Sequence, residues 1–192
     1  MARTTPLTDP RSGAAELRLS ASSLYREAVF SPDRVHRYRL HRWWAPGPSI
    51  LFVMLNPSTA DETIEDPTIR RCIGFAKEWG FGSLEIGNLF ALRSTDPRAL
   101  RVAPDPVGPE NDEWLARLAQ AVDQVVVAWG AWGGAETSAR SAAVLPLLGQ
   151  DAMCLGLTAG GHPKHPLYVA GDTMPLCYAE ARETFLPPVD RR

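Results

Sequence analysis

Leu51-Phe-Val-Met-Leu55 is a run of five apolar residues that stops at Asn56-Pro57. A short, continuous run of this kind reads as a strand buried on both faces, which places the chain among proteins whose central sheet is covered on both sides. Pro57 ends the strand and restricts the backbone of Asn56. The loop that follows presents Asn56, Ser58, Thr59 and Asp61 at the carboxyl end of a central strand, where open α/β sheets place their ligands. The same residue types are common turn formers, so a plain strand followed by a turn is the competing reading.

The flanking segments supply the rest of such a sheet. Leu24–Phe30 and Val35–Trp44 read as an antiparallel edge hairpin around the turn Ser31-Pro-Asp-Arg34. The second of these runs alternates imperfectly and mixes Arg37, Arg39 and Arg42 with Tyr38, Trp43 and Trp44. Basic residues among aromatics suit a phosphate backbone and stacked bases, and equally an edge strand kept soluble by its charge. Asp66-Pro67 is a helix start, with Asp at the N-cap and Pro at the first position. Ile69, Cys72, Ile73 and Ala76 keep helical spacing from there, and Gly80 is the expected stop. Further strands are expected at Ser83–Phe90, Gln124–Trp129 and Met153–Leu157. Helices are expected from Asn111 or Asp112 to about 121, over roughly 136–148, and after Met174. The glycines of Gly130-Ala-Trp-Gly-Gly134 match no phosphate-loop spacing and read as a tight turn. The expected fold is a three-layer α/β/α sandwich, with a four- or five-stranded, mainly parallel core and the N-terminal hairpin at its edge. Residues 1–20 are expected to form a flexible tail, 21–186 a single domain and 187–192 a C-terminal tail.

Bulk properties narrow the class further. No apolar run approaches the roughly 20 residues needed to span a bilayer. The N-terminus lacks an apolar signal region, and three widely spaced cysteines argue against a disulfide framework or a four-cysteine cluster. The expectation is a cytoplasmic protein without a cofactor or membrane partner. A net charge of −2 makes no case for nucleic acid by itself. Asp61, Glu62, Glu65 and Asp66 form an acidic cluster, but no spacing among them is diagnostic of a metal.

Six motifs together resemble a bacterial and phage family, domain-of-unknown-function family 1643. They are Leu55-Asn-Pro-Ser-Thr-Ala-Asp61, Asp66-Pro-Thr-Ile-Arg-Arg-Cys72, Asn88-Leu-Phe-Ala91, Pro106-Val-Gly-Pro-Glu-Asn-Asp112, Ala128-Trp-Gly130 and His162-Pro-Lys-His-Pro-Leu-Tyr168. The resemblance spans about Arg37 to Tyr168 and carries no activity with it. More distantly, the chain is similar to uracil-DNA glycosylases, three-layer α/β/α proteins with a parallel central sheet. Asn56-Pro57 looks like their water-positioning motif, Gly87-Asn88-Leu89 like their base-reading strand end, and His165-Pro166 like their late His-Pro loop. The flanks depart from that pattern: Leu55 and Ser58 stand where a glycine is usual, and Leu167-Tyr168 replaces the second proline.

This likeness implies a protein that binds a nucleobase in DNA and hydrolyses its N-glycosidic bond. Asn56, Asp61 and His165 are then the expected catalytic residues. Asn56 would hold water, and Asp61, Glu65 or Asp66 would supply the carboxylate, Asp66 last because capping already explains it. His165 would donate to the departing base. Ser58, Thr59, Asn88, Arg93 and Trp129 would bind substrate, and Arg37, Arg39, Arg42, Arg70 and Arg71 the nucleic acid. No metal is expected. The alternatives are a non-catalytic module for a nucleotide or modified base, and an enzyme acting on free nucleotides.

Overall fold

The computed structural model describes residues 24–185, so both expected tails lie outside the described residues. Seven strands form one sheet: β1 (Tyr25–Phe30), β2 (Arg37–Trp43), β3 (Ser49–Met54), β4 (Ser83–Asn88), β5 (Gln124–Val127), β6 (Met153–Cys154) and β7 (Leu176–Cys177). Their order is β1-β2-β4-β3-β5-β6-β7. Four helices accompany them: α1 (Pro67–Glu78), α2 (Asn111–Ala121), α3 (Gly134–Val144) and α4 (Tyr178–Phe185). The class is mixed α/β.

The apolar run sets the layering. Ile50, Phe52 and Met54 pack with Ile69, Cys72, Phe75 and Ala76 of α1 on one face. Leu51, Val53 and Leu55 face the other way, toward Leu115 and Leu118 of α2 and Val144 of α3. Burying each such side chain stabilises the fold by about 1.5–3 kcal/mol, so this strand and its two helix layers stabilise one another.

The parallel part comprises β4, β3, β5 and β6. The N-terminal hairpin joins it through antiparallel β2–β4 pairing. At the other edge β7 pairs antiparallel with β6. That last strand is a correction to the sequence expectation, because two residues carry too little periodicity to be seen. The fourth expected strand is likewise shorter, ending at Cys154 rather than Leu157.

The crossovers explain where a site can form. From β3 the chain runs through α1 to β4 on one side. It then passes behind β3 through α2 to β5, and α3 leads onward to β6. The winding direction therefore reverses between β3 and β5, and at such a switch point the loops part and leave a crevice at the carboxyl ends of the strands.

Local chemistry matches the elements. The Asp66 carboxylate accepts from the Ile69 N–H at 2.8 Å, capping α1 with Pro67 in its first turn. Gly80 closes the helix with φ +83°, a conformation that favours glycine. The expected cap at Asn111 is corrected. Its side chain is buried and donates to the carbonyls of Asn88 and Leu89, both at 3.0 Å. Asn111 thus ties α2 to the end of β4, where the sheet's own hydrogen bonding stops.

A bulge accounts for the imperfect alternation of β2. Val29 pairs with Arg39 and Phe30 with Arg37, leaving Tyr38 unpaired. The bulge turns Arg37 to the α1 face, beside Leu40 and Arg42, although its parity matches Arg39 and His41 on the other face. Arg39 and His41 instead meet Glu85 at 2.7 and 2.8 Å.

Candidate functional site

A cavity of about 610 Å³ opens at the switch point. The end of β3 contributes Met54, Leu55, Asn56 and Ser58, and the start of α1 adds Asp66, Thr68 and Ile69. Ser94, Thr95 and Pro97 come from the segment after β4, and Trp129, Gly130 and Trp132 from the turn after β5. The loop after β6 supplies Thr158, Lys164, His165 and Tyr168, and Arg37 of β2 completes the wall.

Asn56 sits where the expected loop begins. Its side-chain nitrogen donates to the carbonyls of Pro57 at 3.0 Å and Ser94 at 2.9 Å. Two carbonyl acceptors require the NH₂ end of the amide, so Oδ1 is the group left to accept from a ligand or water. His165 is oriented just as definitely. Leu167 N–H donates to its Nδ1 at 3.3 Å, which leaves the proton of the neutral ring on Nε2, a donor. Burial pushes the His165 pKa down, with the charge of Asp66 opposing, so the ring is neutral at pH 7. Gly130 has φ +78°, and a side chain there would meet His165 Cβ at 3.3 Å. Its N–H donates to Pro163 O at 2.9 Å, which holds the β5 turn against the His-Pro loop.

Arg37 is 2% exposed. Its guanidinium donates to Ala60 O at 2.6 Å and to Asn88 Oδ1 at 3.4 Å. Among the described residues its Nε has no partner, and no carboxylate lies within ion-pair distance of it. Burial pushes its pKa down to about 10, with Asp66 the foremost opposing charge, so it stays cationic at neutral pH. Trp129 is 2% exposed with an indole N–H that also lacks a partner among the described residues.

The structure thus brings Asn56, Ser58, Trp129, His165 and Arg37 to one cavity. It does not bring Asp61 there. The Asp61 carboxylate accepts from the N–H groups of Thr63 and Ile64 at 2.7 and 2.8 Å, an internal turn. Burial pushes its pKa up, but these hydrogen bonds outweigh that and hold it below the usual carboxylate value. Thr59 is exposed beside the cavity rather than in its wall. Asn88 is 1% exposed and lies behind Arg37, not in the wall. Arg93 donates to Arg34 O and stacks over Phe30; it is not in the cavity wall, although its charge acts on Arg37.

Of the basic residues expected to meet nucleic acid, Arg37 lines the cavity, while Arg39, Arg42, Arg70 and Arg71 have partners within the protein, Arg70 at the exposed surface. Arg42 is fully buried and held by Glu65 and by the carbonyls of His41 and Asp61. Arg39 pairs with Glu27 and Glu85. Arg70 donates to Glu65 O, and Arg71 to Pro166 O and Val169 O while lying over Phe75. Long side chains beside unsatisfied loop carbonyls satisfy those carbonyls, a demand that charge counting in sequence does not reveal.

Lys164, Trp132 and Tyr168 line the cavity without having been singled out, and so does Asp66, which was placed last among the candidate carboxylates. Each follows the carboxyl end of a strand or opens a helix there, and that position is the signal that would have found them. His162 lines a separate cavity of about 320 Å³ beside α3 and α4. Among the described residues no cluster of three or more His, Cys, Asp or Glu could hold a metal, and no helix is long and apolar enough to cross a membrane.

Comparison with curated proteins and with solved structures finds no match. A family model described as "Protein of unknown function (DUF1643)" matches residues 37–167, and the chain belongs to that family.

Proposed function

We propose that the cavity binds a nucleobase and hydrolyses its N-glycosidic bond. The observation that carries this reading is the convergence of Asn56, Asp66 and His165 on one cavity walled by Trp129, Trp132 and Tyr168. Aromatic walls suit the flat face of a base. The likeness of Asn56-Pro57 and His165-Pro166 to uracil-DNA glycosylase motifs supports the same chemistry.

In this mechanism Asn56 Oδ1 accepts from a water molecule and aims its oxygen at the anomeric carbon. The C–N bond breaks with its electron pair on the base, while the water oxygen bonds to the carbon. The water's proton passes to Asp66, the carboxylate in the cavity wall, in place of Asp61. The Nε2–H of His165 donates to the base as negative charge develops there.

Chromatographic assay of released base tests this. Substrates are nucleosides, nucleotides and oligonucleotides carrying uracil, mismatched thymine, hypoxanthine or hypermodified pyrimidines. Release should fall about 10²–10⁴-fold in Asp66→Asn and comparably in Asn56→Ala. Binding without release, unaltered in Asp66→Asn, would leave a binding module instead.

A further inference from the structure

We infer that the ligand is a free nucleotide, a base with its sugar and a terminal phosphate, rather than one base turned out of a polymer. This rests on the nucleobase reading above and adds the size and charge of what enters.

Three observations carry it. The first is room. At about 610 Å³ the cavity lies in the range of pockets that enclose whole small molecules, whereas a base turned out of a strand is held in a snug slot.

The second is the charge of the wall. Its fixed charges are two cations, Arg37 and Lys164, against one carboxylate, Asp66. Arg37 is buried without an ion-pair partner among the described residues. A cation out of water and without an anion is costly, and an anionic ligand offsets that cost. Lys164 likewise has no carboxylate within 4 Å among the described residues, and its ammonium lies along the Gly156 backbone. Arg37 enters from β2 and Lys164 from the loop after β6, at opposite ends of the crevice. Asp66 is the foremost charge acting on Arg37, and it acts on His165 as well. Lys164 at the far end, with the Thr158 hydroxyl in the same wall, is therefore the better seat for a phosphate. The Arg37 end offers a donor to a base edge, which leaves Asp66 to the water.

The third is the rim. Arg98 pairs with Asp96 at 2.8 Å, Arg34 with Glu62 at 3.1 Å, and Arg101 lies 4.0 Å from Glu136. A polymer's backbone needs several free cations outside the pocket. Here Arg34, Arg98 and Arg101 are each answered by a carboxylate of the protein itself.

Titration calorimetry tests the proposal on the full chain. The probes are nucleoside 5′-monophosphates of the natural bases, uracil and hypoxanthine, each beside its nucleoside and a 20-residue oligonucleotide of the same base, single- and double-stranded. At least one monophosphate should bind, and removing its phosphate should weaken binding roughly tenfold or more. Lys164→Gln should narrow that nucleotide-to-nucleoside ratio at least about fivefold, and Lys164→Arg should retain it. Equal affinity for nucleoside and nucleotide would overturn the proposal. So would an oligonucleotide that binds more tightly than its monophosphate, with affinity falling steeply in salt. If a base is bound in those cases, the nucleobase reading survives. If no base-containing probe binds a folded protein, both readings fall.

Discussion

The Arg37 guanidinium donates to Asn88 Oδ1 across 3.4 Å, with Arg37 in the cavity wall and Asn88 behind it. The two residues come from neighbouring strands, β2 and β4, and meet because a bulge turns Arg37 onto the face that Asn88 already occupies. Asn88 offers a neutral oxygen to a buried cation, so the charge of Arg37 is supported without being cancelled. Among the described residues its amide nitrogen has no partner, and nothing else holds the amide in place.

This relationship makes Asn88→Asp informative. The new carboxylate would lie within reach of Arg37 and pair with it, at no loss of an existing donor bond. The cavity's net positive charge would disappear, and affinity for an anionic ligand should drop about tenfold. Calorimetric titration with a nucleoside monophosphate measures the change, and unaltered affinity would show that Arg37 contributes no field to the site.

Asn56→Asp tests the orientation of the amide. The NH₂ group faces two carbonyls, so a carboxylate there would place like-signed oxygens together. Asn56→Asp should lower stability more than Asn56→Ala, each by about 1–3 kcal/mol. Urea denaturation at pH 7 compares the two, and equal or reversed costs would argue that the oxygen, not the nitrogen, meets Ser94.

His165 should leave a signature in the dependence of stability on pH. Its pKa is lowered in the fold by burial, against an ordinary value of 6.5. Below that value the unfolded chain takes up a proton that the folded chain resists, so stability falls as pH drops from 6.5 toward the folded pKa and levels off beneath it. The difference in unfolding free energy between wild type and His165→Asn, measured from pH 8 to 5, should shrink over that window. A constant difference would show that the ring titrates normally.

Gly130→Ala should strain the join between the β5 turn and the His-Pro loop. A side chain at φ +78° costs about 1–2 kcal/mol, and its Cβ would press on His165 Cβ at 3.3 Å. The expected result is lower stability together with a shifted His165 ring signal by NMR. Lower stability with an unmoved ring would place the cost in the backbone alone.

Much of the framework was legible in the residues themselves. The apolar run reads as a two-faced strand because it carries no polar position to turn outward. Asp66-Pro67 reads as a helix start because cap and proline act within one turn. Asn56-Pro57 follows the end of β3 and His165-Pro166 opens a short 3-10 turn in the loop after β6, and both reach the cavity wall. Legibility ended where long side chains choose partners. Asp61 and Asp66 lie five positions apart in one acidic stretch. One carboxylate is spent on the turn at Thr63 and Ile64, and the other, though capping α1, also lines the cavity.

The sequence by itself determined the strands other than β7, the start of α1 and the loops that follow β3 and β6, because apolar periodicity, caps and prolines act over a few residues. Only the tertiary structure decided which charges face the cavity and which are consumed within the fold. The bulge at Arg37 and Tyr38 depends on pairing with β1, and the fate of each arginine depends on which loop carbonyl or carboxylate comes within reach. Those partners lie as far as 98 residues away along the chain, as with Arg71 and Val169, and no local pattern encodes them.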